Sequence, residues 1–63
     1  MKGYYTLLTQ LLKDNKCRFV RSGKGSHEVW ETQAGKVLIV PHNCYSRHTA
    51  NKVLQDAGIN HKF

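Results

Sequence analysis

The residues best suited to chemistry are Gly25, Ser26 and His27, which follow a short basic turn. A histidine can both accept and donate a proton in the cell, because an unperturbed imidazole titrates near pH ~6.5. The turn's glycines leave room for a polymer backbone, and Arg21 and Lys24 would attract its phosphates. This combination predicts metal-free acid–base cleavage of RNA with His27 as the catalytic residue. The residues predicted to contact RNA are Arg21, Lys24, Gly25 and Ser26.

His27 could instead be a structural residue that begins a strand and forms local hydrogen bonds. Polar and apolar side chains alternate over residues 26–32, which predicts a half-buried strand. His27 and Trp30 have opposite parity in that strand. We therefore expect Trp30 in the core and His27 on the open face. Ser26 could orient His27 or contact a phosphate oxygen.

The composition favours one small domain, residues 1–63, that binds nucleic acid. Ten Lys and Arg against four Asp and Glu give a net charge of +6, and the positive residues are dispersed along the chain. Such a surface is more typical of nucleic-acid binding than of membrane binding. No apolar segment resembles a signal peptide or approaches the ~20 residues of a membrane span. We expect a cytoplasmic protein with reduced cysteines, although the cysteine count also permits a disulfide between Cys17 and Cys44.

The sequence also contains residues that could form two other kinds of site. His42, Cys44 and His48 contain metal-ligating atoms, but their spacing matches no common zinc pattern, so no metal or cofactor is predicted. The tyrosines could stack on bases, although tyrosines more often pack against helices. They are Tyr4, Tyr5 and Tyr45.

Local patterns predict an α+β fold in the order α-β-β-β-α, with a three-stranded antiparallel sheet covered by two helices on one face. The first helix is expected to end near Asp14, with Asn15 in the left-handed conformation. Strands are predicted over residues 17–21, 26–32 and 36–40. Phe19 and Val20 are expected to be available to the core, and the third strand is expected to be the most buried. Ser46 is the predicted N-cap of the second helix, which ends at Gly58.

This order is that of the double-stranded-RNA-binding domain, and an ordered set of residues resembles HicA-type mRNA interferase toxins. The set runs through Arg21, the Gly25, Ser26 and His27 triplet, Trp30, a glycine turn, Val40 with Pro41 and His42, and residues 53–59. The resemblance implies a cofactor-free ribonuclease that cleaves mRNA with His27. It also implies a HicB-type antitoxin partner that covers the site.

The chain departs from that family's pattern before the second helix. A lysine-rich loop and a Gly-Thr pair are usual there, whereas this chain has residues 43–47 and the pair His48 and Thr49. Two alternatives to a toxin remain open at this point. One is a non-catalytic RNA-binding module in which His27, Lys24 and Arg21 only contact the backbone, and the other is a purely structural or regulatory interaction domain.

Overall fold

The computed structural model describes residues 3–63, which form two helices and three strands. Lys2, the first of the dispersed basic residues, lies outside this range. The strands form one antiparallel sheet in the order β1-β2-β3. The predicted α-β-β-β-α order is confirmed. The elements are α1 (Tyr5–Asp14), β1 (Arg18–Ser22), β2 (His27–Glu31), β3 (Val37–Pro41) and α2 (Arg47–Asp56).

One face of the sheet packs against both helices. Trp30 lies opposite Leu38, and Val40 lies two residues farther along β3, so the three side chains share a face. Trp30 is only 2 % exposed, as predicted. The helices complete the core with buried side chains that follow helical spacing: Leu8, Leu12, Ala50, Val53 and Leu54.

The other face of the sheet is open. β3 is an apolar run and contains two buried residues, against one in β2 and none in β1. However, Val37 and Ile39 are 61 % and 53 % exposed. The helices cover only one face of this edge strand, so its burial alternates and the second apolar row is left in solvent.

The prediction that Phe19 and Val20 join the core is wrong. Both are about half exposed, and every residue of β1 is exposed. β1 is the edge strand on the side away from β3, and Phe19 meets the edge of Trp30, with ring centroids 6.1 Å apart. The buried residue is Cys17, immediately before the strand.

Both helices end in a Schellman motif. In α2, Ile59 N donates to Leu54 O at 2.9 Å and Gly58 N to Gln55 O at 3.0 Å, with Gly58 at φ 74°, as predicted. In α1 the left-handed residue is Lys16 at φ 65°, not Asn15, which has φ −103°. Asn15 instead donates its side-chain amide to Leu11 O.

The start of α2 and the two cysteines are also defined. Ser46 is the N-cap, as predicted, and its hydroxyl accepts from Thr49 N at 3.5 Å. Cys17 and Cys44 are free and buried, so the disulfide that the cysteine count permitted does not form. Burial raises the pKa of both thiols. Across residues 3–63, no helix has the length and apolar character needed to span a bilayer.

Candidate active site

A tight turn places His27 at the first position of β2. Gly23 N donates to His27 O at 2.8 Å, and His27 N donates to Lys24 O at 3.3 Å. A Cβ atom on Gly23 would lie 3.1 Å from His27 O, whereas Gly25 adopts φ 66° in open space. Gly23 therefore permits the close approach of its backbone to that of His27, and Gly25 permits a left-handed backbone in the turn. His27 itself is exposed.

A β-bulge brings Arg21 to the same face of the sheet as His27. Phe19 pairs with Trp30, but Arg21 pairs with Val29, so Val20 is the extra residue of β1. Without it, Arg21 would lie opposite Glu28 on the helix-covered face. With it, Arg21 and His27 are diagonal neighbours on the open face, a relation that separates side chains by roughly 7–8 Å.

The positive charges around His27 are not neutralised within the described part of the chain. All four carboxylate side chains have other partners: Asp14 with Gln10, Glu28 with Tyr5, Glu31 with Arg18, and Asp56 with Lys52. Among residues 3–63, neither Arg21 nor Lys24 forms a salt bridge. The hairpin that carries His27 can therefore offer two cations to a phosphate.

A polar cluster lies directly behind His27, on the other side of β2. Glu28 accepts hydrogen bonds from the Tyr5 hydroxyl at 2.8 Å and from Trp30 Nε1 at 3.0 Å. Its second oxygen lies 3.3 Å from His42 Nδ1, and the His42 ring packs on Tyr5 at 4.6 Å. These contacts tie β2 to α1 and to the segment after β3, so they fix the backbone that carries His27.

The cluster shifts two pKa values in opposite directions. Burial, the hydrogen bond to Glu28 and its negative charge raise the pKa of Tyr5 from 10.0 to about 12. Burial alone would raise the pKa of Glu28, but the hydrogen bonds from Trp30, Tyr5 and His42 outweigh burial and lower it. Glu28 is thus held ionised and Tyr5 is held neutral.

An open groove of about 410 Å³ separates His27 from α2. Its sheet side consists of His27, Ile39 and Pro41. Its helix side consists of one row of α2 residues: His48, Thr49, Lys52, Val53 and Asp56. The groove is the concave feature that contains the predicted catalytic histidine.

The residues predicted as the site do lie together on the hairpin between β1 and β2. His27, Lys24, Gly25 and Ser26 are exposed on one turn, and the bulge adds Arg21. Ser26 also connects the turn to the segment after β3, because its carbonyl accepts a hydrogen bond from His42 N at 2.6 Å. Whether these residues bind RNA or cleave it stays a prediction at this point.

The tyrosines and the possible metal ligands separate in space. Tyr4 packs on Phe63 and Tyr5 on His42, whereas Tyr45 is 64 % exposed. Cys44 is buried and His42 faces Glu28. Within residues 3–63, no three His, Cys, Asp or Glu side chains are grouped to hold a metal ion.

Sequence reasoning missed the helix side of the groove and the Glu28 cluster. From the sequence alone, His48 is interpreted as a possible metal ligand and as part of a departure from the family pattern, and Glu28 is interpreted only as a polar strand residue. A signal for the first was present, since His48, Lys52 and Asp56 are spaced by four and share a helix face. No local signal pairs Tyr5 with Glu28, which are 23 residues apart.

Comparison with protein families gives one match. The model described as "HicA toxin of bacterial toxin-antitoxin" matches residues 8–59 of the 63-residue chain. Comparisons with the curated proteins and with the solved structures found no match. The matched range contains the hairpin, the groove, all of α2 and residues 8–14 of α1.

Proposed function

Because the family match spans most of the chain, the protein belongs to the HicA family, the toxins of bacterial toxin–antitoxin systems, and we propose that it is a metal-independent mRNA endoribonuclease. The observation that carries the proposal is the position of His27. It is exposed at the start of β2, on the open face beside Arg21 and Lys24 and at the edge of a groove. A proton-transfer group beside free cations is the minimum that RNA cleavage requires.

RNA supplies its own nucleophile. The 2′-oxygen attacks the adjacent phosphorus, the bond from phosphorus to the 5′-oxygen breaks, and a 2′,3′-cyclic phosphate and a 5′-hydroxyl result. The 2′-hydroxyl loses a proton and the leaving 5′-oxygen gains one, so the reaction consumes no water and needs no cofactor. His27 transfers one of these protons, while Arg21 and Lys24 offset the charge on the phosphate.

Metal independence is supported by how the carboxylates are used. A two-metal nuclease requires carboxylates grouped around the ions. Here the four side chains are spread over α1, β2 and α2, the two on β2 point to opposite faces of the sheet, and each already has a partner in the protein. Cleavage by acid–base chemistry at His27 is consistent with that arrangement.

The test is an RNase assay with the purified chain and a defined RNA in excess EDTA. Cleavage is expected to persist and to leave cyclic or 3′-phosphate ends. His27→Ala is expected to lower the rate by about 10²–10⁴-fold, the usual contribution of a positioned acid or base. His61→Ala is the matched control, because His61 is exposed and does not line the groove with His27.

Two results would contradict the proposal. One is activity that disappears in EDTA and returns with Mg²⁺, and the other is His27→Ala that folds normally and cleaves at the wild-type rate. If the wild-type chain binds RNA and cleaves none, it is instead a non-catalytic RNA-binding module of the same fold.

The proposed partners are mRNA and a HicB-type antitoxin, and the proposed location is the cytoplasm, where both would be met. Among residues 3–63, the hairpin carries two cations without salt bridges, Arg21 and Lys24, and the open face of the sheet exposes apolar side chains such as Ile39. A partner with Asp and Glu residues would associate rapidly with that surface and exclude RNA from it. Co-purification with the product of the adjacent gene, followed by the RNase assay, tests this. A complex that cleaves as fast as the free chain would show that the partner binds elsewhere.

A further inference from the structure

His48 faces the same groove as His27, from the opposite wall. It is the second residue of α2, is exposed, and follows the Ser46 cap that fixes the start of the helix. The pocket between α2 and β3 is lined by both histidines and has a volume of about 410 Å³. That volume falls in the range of ligand sites, about 300–1,000 Å³, so a sugar–phosphate unit can occupy a groove that both histidines line.

Charged side chains continue the helix wall of the groove in a regular row. His48, Lys52 and Asp56 follow one another at intervals of four, so they lie along one side of α2. Lys52 Nζ is 3.7 Å from Asp56 Oδ1, and the Lys52 side chain is 70 % exposed. Lys52 therefore lines the groove, and its exposed ammonium group can donate further hydrogen bonds to a phosphate.

We propose that His48 is a second catalytic residue, which exchanges a proton with the RNA on the opposite side of the phosphate from His27. This inference rests on the proposed function and adds a residue to it. One histidine takes the proton of the 2′-hydroxyl, and the other gives a proton to the leaving 5′-oxygen. The protons balance within one turnover, since the pair ends with its two protonation states exchanged.

Other titratable groups border these histidines and bear on the pH profile. On α2 they are Lys52 and Asp56, and the C-terminal segment brings His61 and Lys62 into a neighbouring groove that His48 also lines. On the hairpin they are Arg21 and Lys24. Of these, only His61 is another histidine, so His61→Ala is the control for His48→Ala.

The first measurement is the pH dependence of the cleavage rate. Two histidines with opposite protonation requirements give a bell-shaped profile for the wild-type chain. His48→Ala and His48→Gln are expected to lower the rate by about 10²–10⁴-fold and to remove one limb of the bell. His61→Ala is expected to keep the bell. A His48→Ala rate within about threefold of wild type, or an unchanged bell, overturns the proposal.

The second measurement separates chemistry from binding. His48→Ala is expected to bind a 2′-O-methyl RNA, which lacks the nucleophile, with an affinity within about threefold of wild type. If that affinity falls as far as the rate, His48 is a binding residue and the proposal is wrong. With a substrate whose 5′-oxygen is replaced by sulfur, a leaving group that needs no proton, one of His27→Ala and His48→Ala is expected to recover. If neither variant recovers activity with this substrate, the two histidines do not divide the two proton transfers between them, and the proposal is contradicted.

The proposed ribonuclease function and the proposed role of His48 would be disproved by different results. If His27→Ala remains fully active, the proposed function is wrong at its centre whatever His48 does. If His27→Ala is inactive while His48→Ala matches wild type, the ribonuclease with a single histidine stands and only His48 is excluded.

Discussion

Glu28 and His27 are neighbours in sequence, yet their side chains lie on opposite faces of β2. Glu28 accepts three kinds of donor, from Tyr5, Trp30 and His42, and is 15 % exposed. A partly buried carboxylate is costly unless its lone pairs are satisfied, and here they are. The cluster therefore fixes the strand under the proposed catalytic histidine while leaving the histidine free in solvent.

Tyr5→Phe is expected to reduce the free energy of unfolding by about 1.5 kcal/mol, because it removes a hydrogen bond to an ionised carboxylate. Urea denaturation at neutral pH measures the change. Tyr45→Phe is the matched control, since the Tyr45 side chain is 64 % exposed and its hydroxyl should contribute nothing measurable. Equal stability of wild type and Tyr5→Phe would mean that the hydrogen bond from the Tyr5 hydroxyl to Glu28 is no more favourable than the bonds this hydroxyl makes to water in the unfolded chain.

Alkaline pH should erase the advantage of the Tyr5 hydroxyl. The pKa of Tyr5 is raised from 10.0 to about 12 in the folded chain, so folding favours the neutral phenol. Its contribution to stability is complete below the unfolded pKa of 10.0 and is lost as the pH rises through about 12. Urea curves at a series of pH values should show wild type converging on Tyr5→Phe over this window. A constant difference would contradict the raised pKa.

At the scale of the elements, the two helix ends offer a direct comparison. Both close with the same pair of backbone hydrogen bonds, but the left-handed position is Gly58 in one and Lys16 in the other. A side chain at φ 65° crowds the following carbonyl, and glycine has no such penalty. The end of α1 is therefore strained where the end of α2 is not.

Lys16→Gly is expected to stabilise the protein by about 1 kcal/mol, and Gly58→Lys to destabilise it by a similar amount. The relief of the left-handed strain outweighs the greater freedom that glycine gives the unfolded chain. Thermal or urea unfolding of the two variants beside wild type measures both effects. Lys13→Gly is the counter-example, because Lys13 lies within α1, where glycine lowers helix stability. A loss of stability in Lys16→Gly would show that the strain at this position is negligible.

Local pattern predicts the elements well, and long-range pairing accounts for what it misses. The polarity alternation around Trp30 was sufficient to place it in the core and His27 on the open face. The bulge at Val20 was not predictable, because it depends on how β1 aligns with β2 across the turn. The exposure of Phe19 had the same origin, since an edge position is a property of the whole sheet.

The candidate site was predicted only as far as the hairpin extends. Arg21, Lys24 and His27 are close in sequence, and the turn between them was visible in the glycines. His48 is brought to the groove by the packing of α2 beside β3, more than 20 residues along the chain, and Glu28 meets Tyr5 in the same way. Contacts of this kind depend on the folded core, so the local spacing that places His48 and Lys52 on one helix face does not pair that face with His27.

At the scale of the whole molecule, the cations closest in sequence to His27 lie at the part of the sheet that the helices leave uncovered. Net charge is +6, and Arg21 lies on the open face with Lys24 in the turn beside it, while the helices cover the other face. A surface of this kind attracts the RNA backbone without reading its sequence. Affinity should then depend on the number of phosphates neutralised, and so on salt.

Lys24→Ala and Arg21→Ala are expected to weaken binding of a 2′-O-methyl RNA equally for unrelated sequences, and each should flatten the slope of log affinity against log salt by about 0.7 per lost phosphate contact. Fluorescence anisotropy over a series of salt concentrations measures both quantities. Lys13→Ala makes the same change in net charge, but Lys13 is an exposed residue in the last turn of α1, away from the hairpin. Lys13→Ala should keep the wild-type slope, because the proposed phosphate contacts are made at the hairpin and this substitution removes none of them. If all three variants lose affinity to the same extent, binding follows net charge alone and the open face is not the RNA surface.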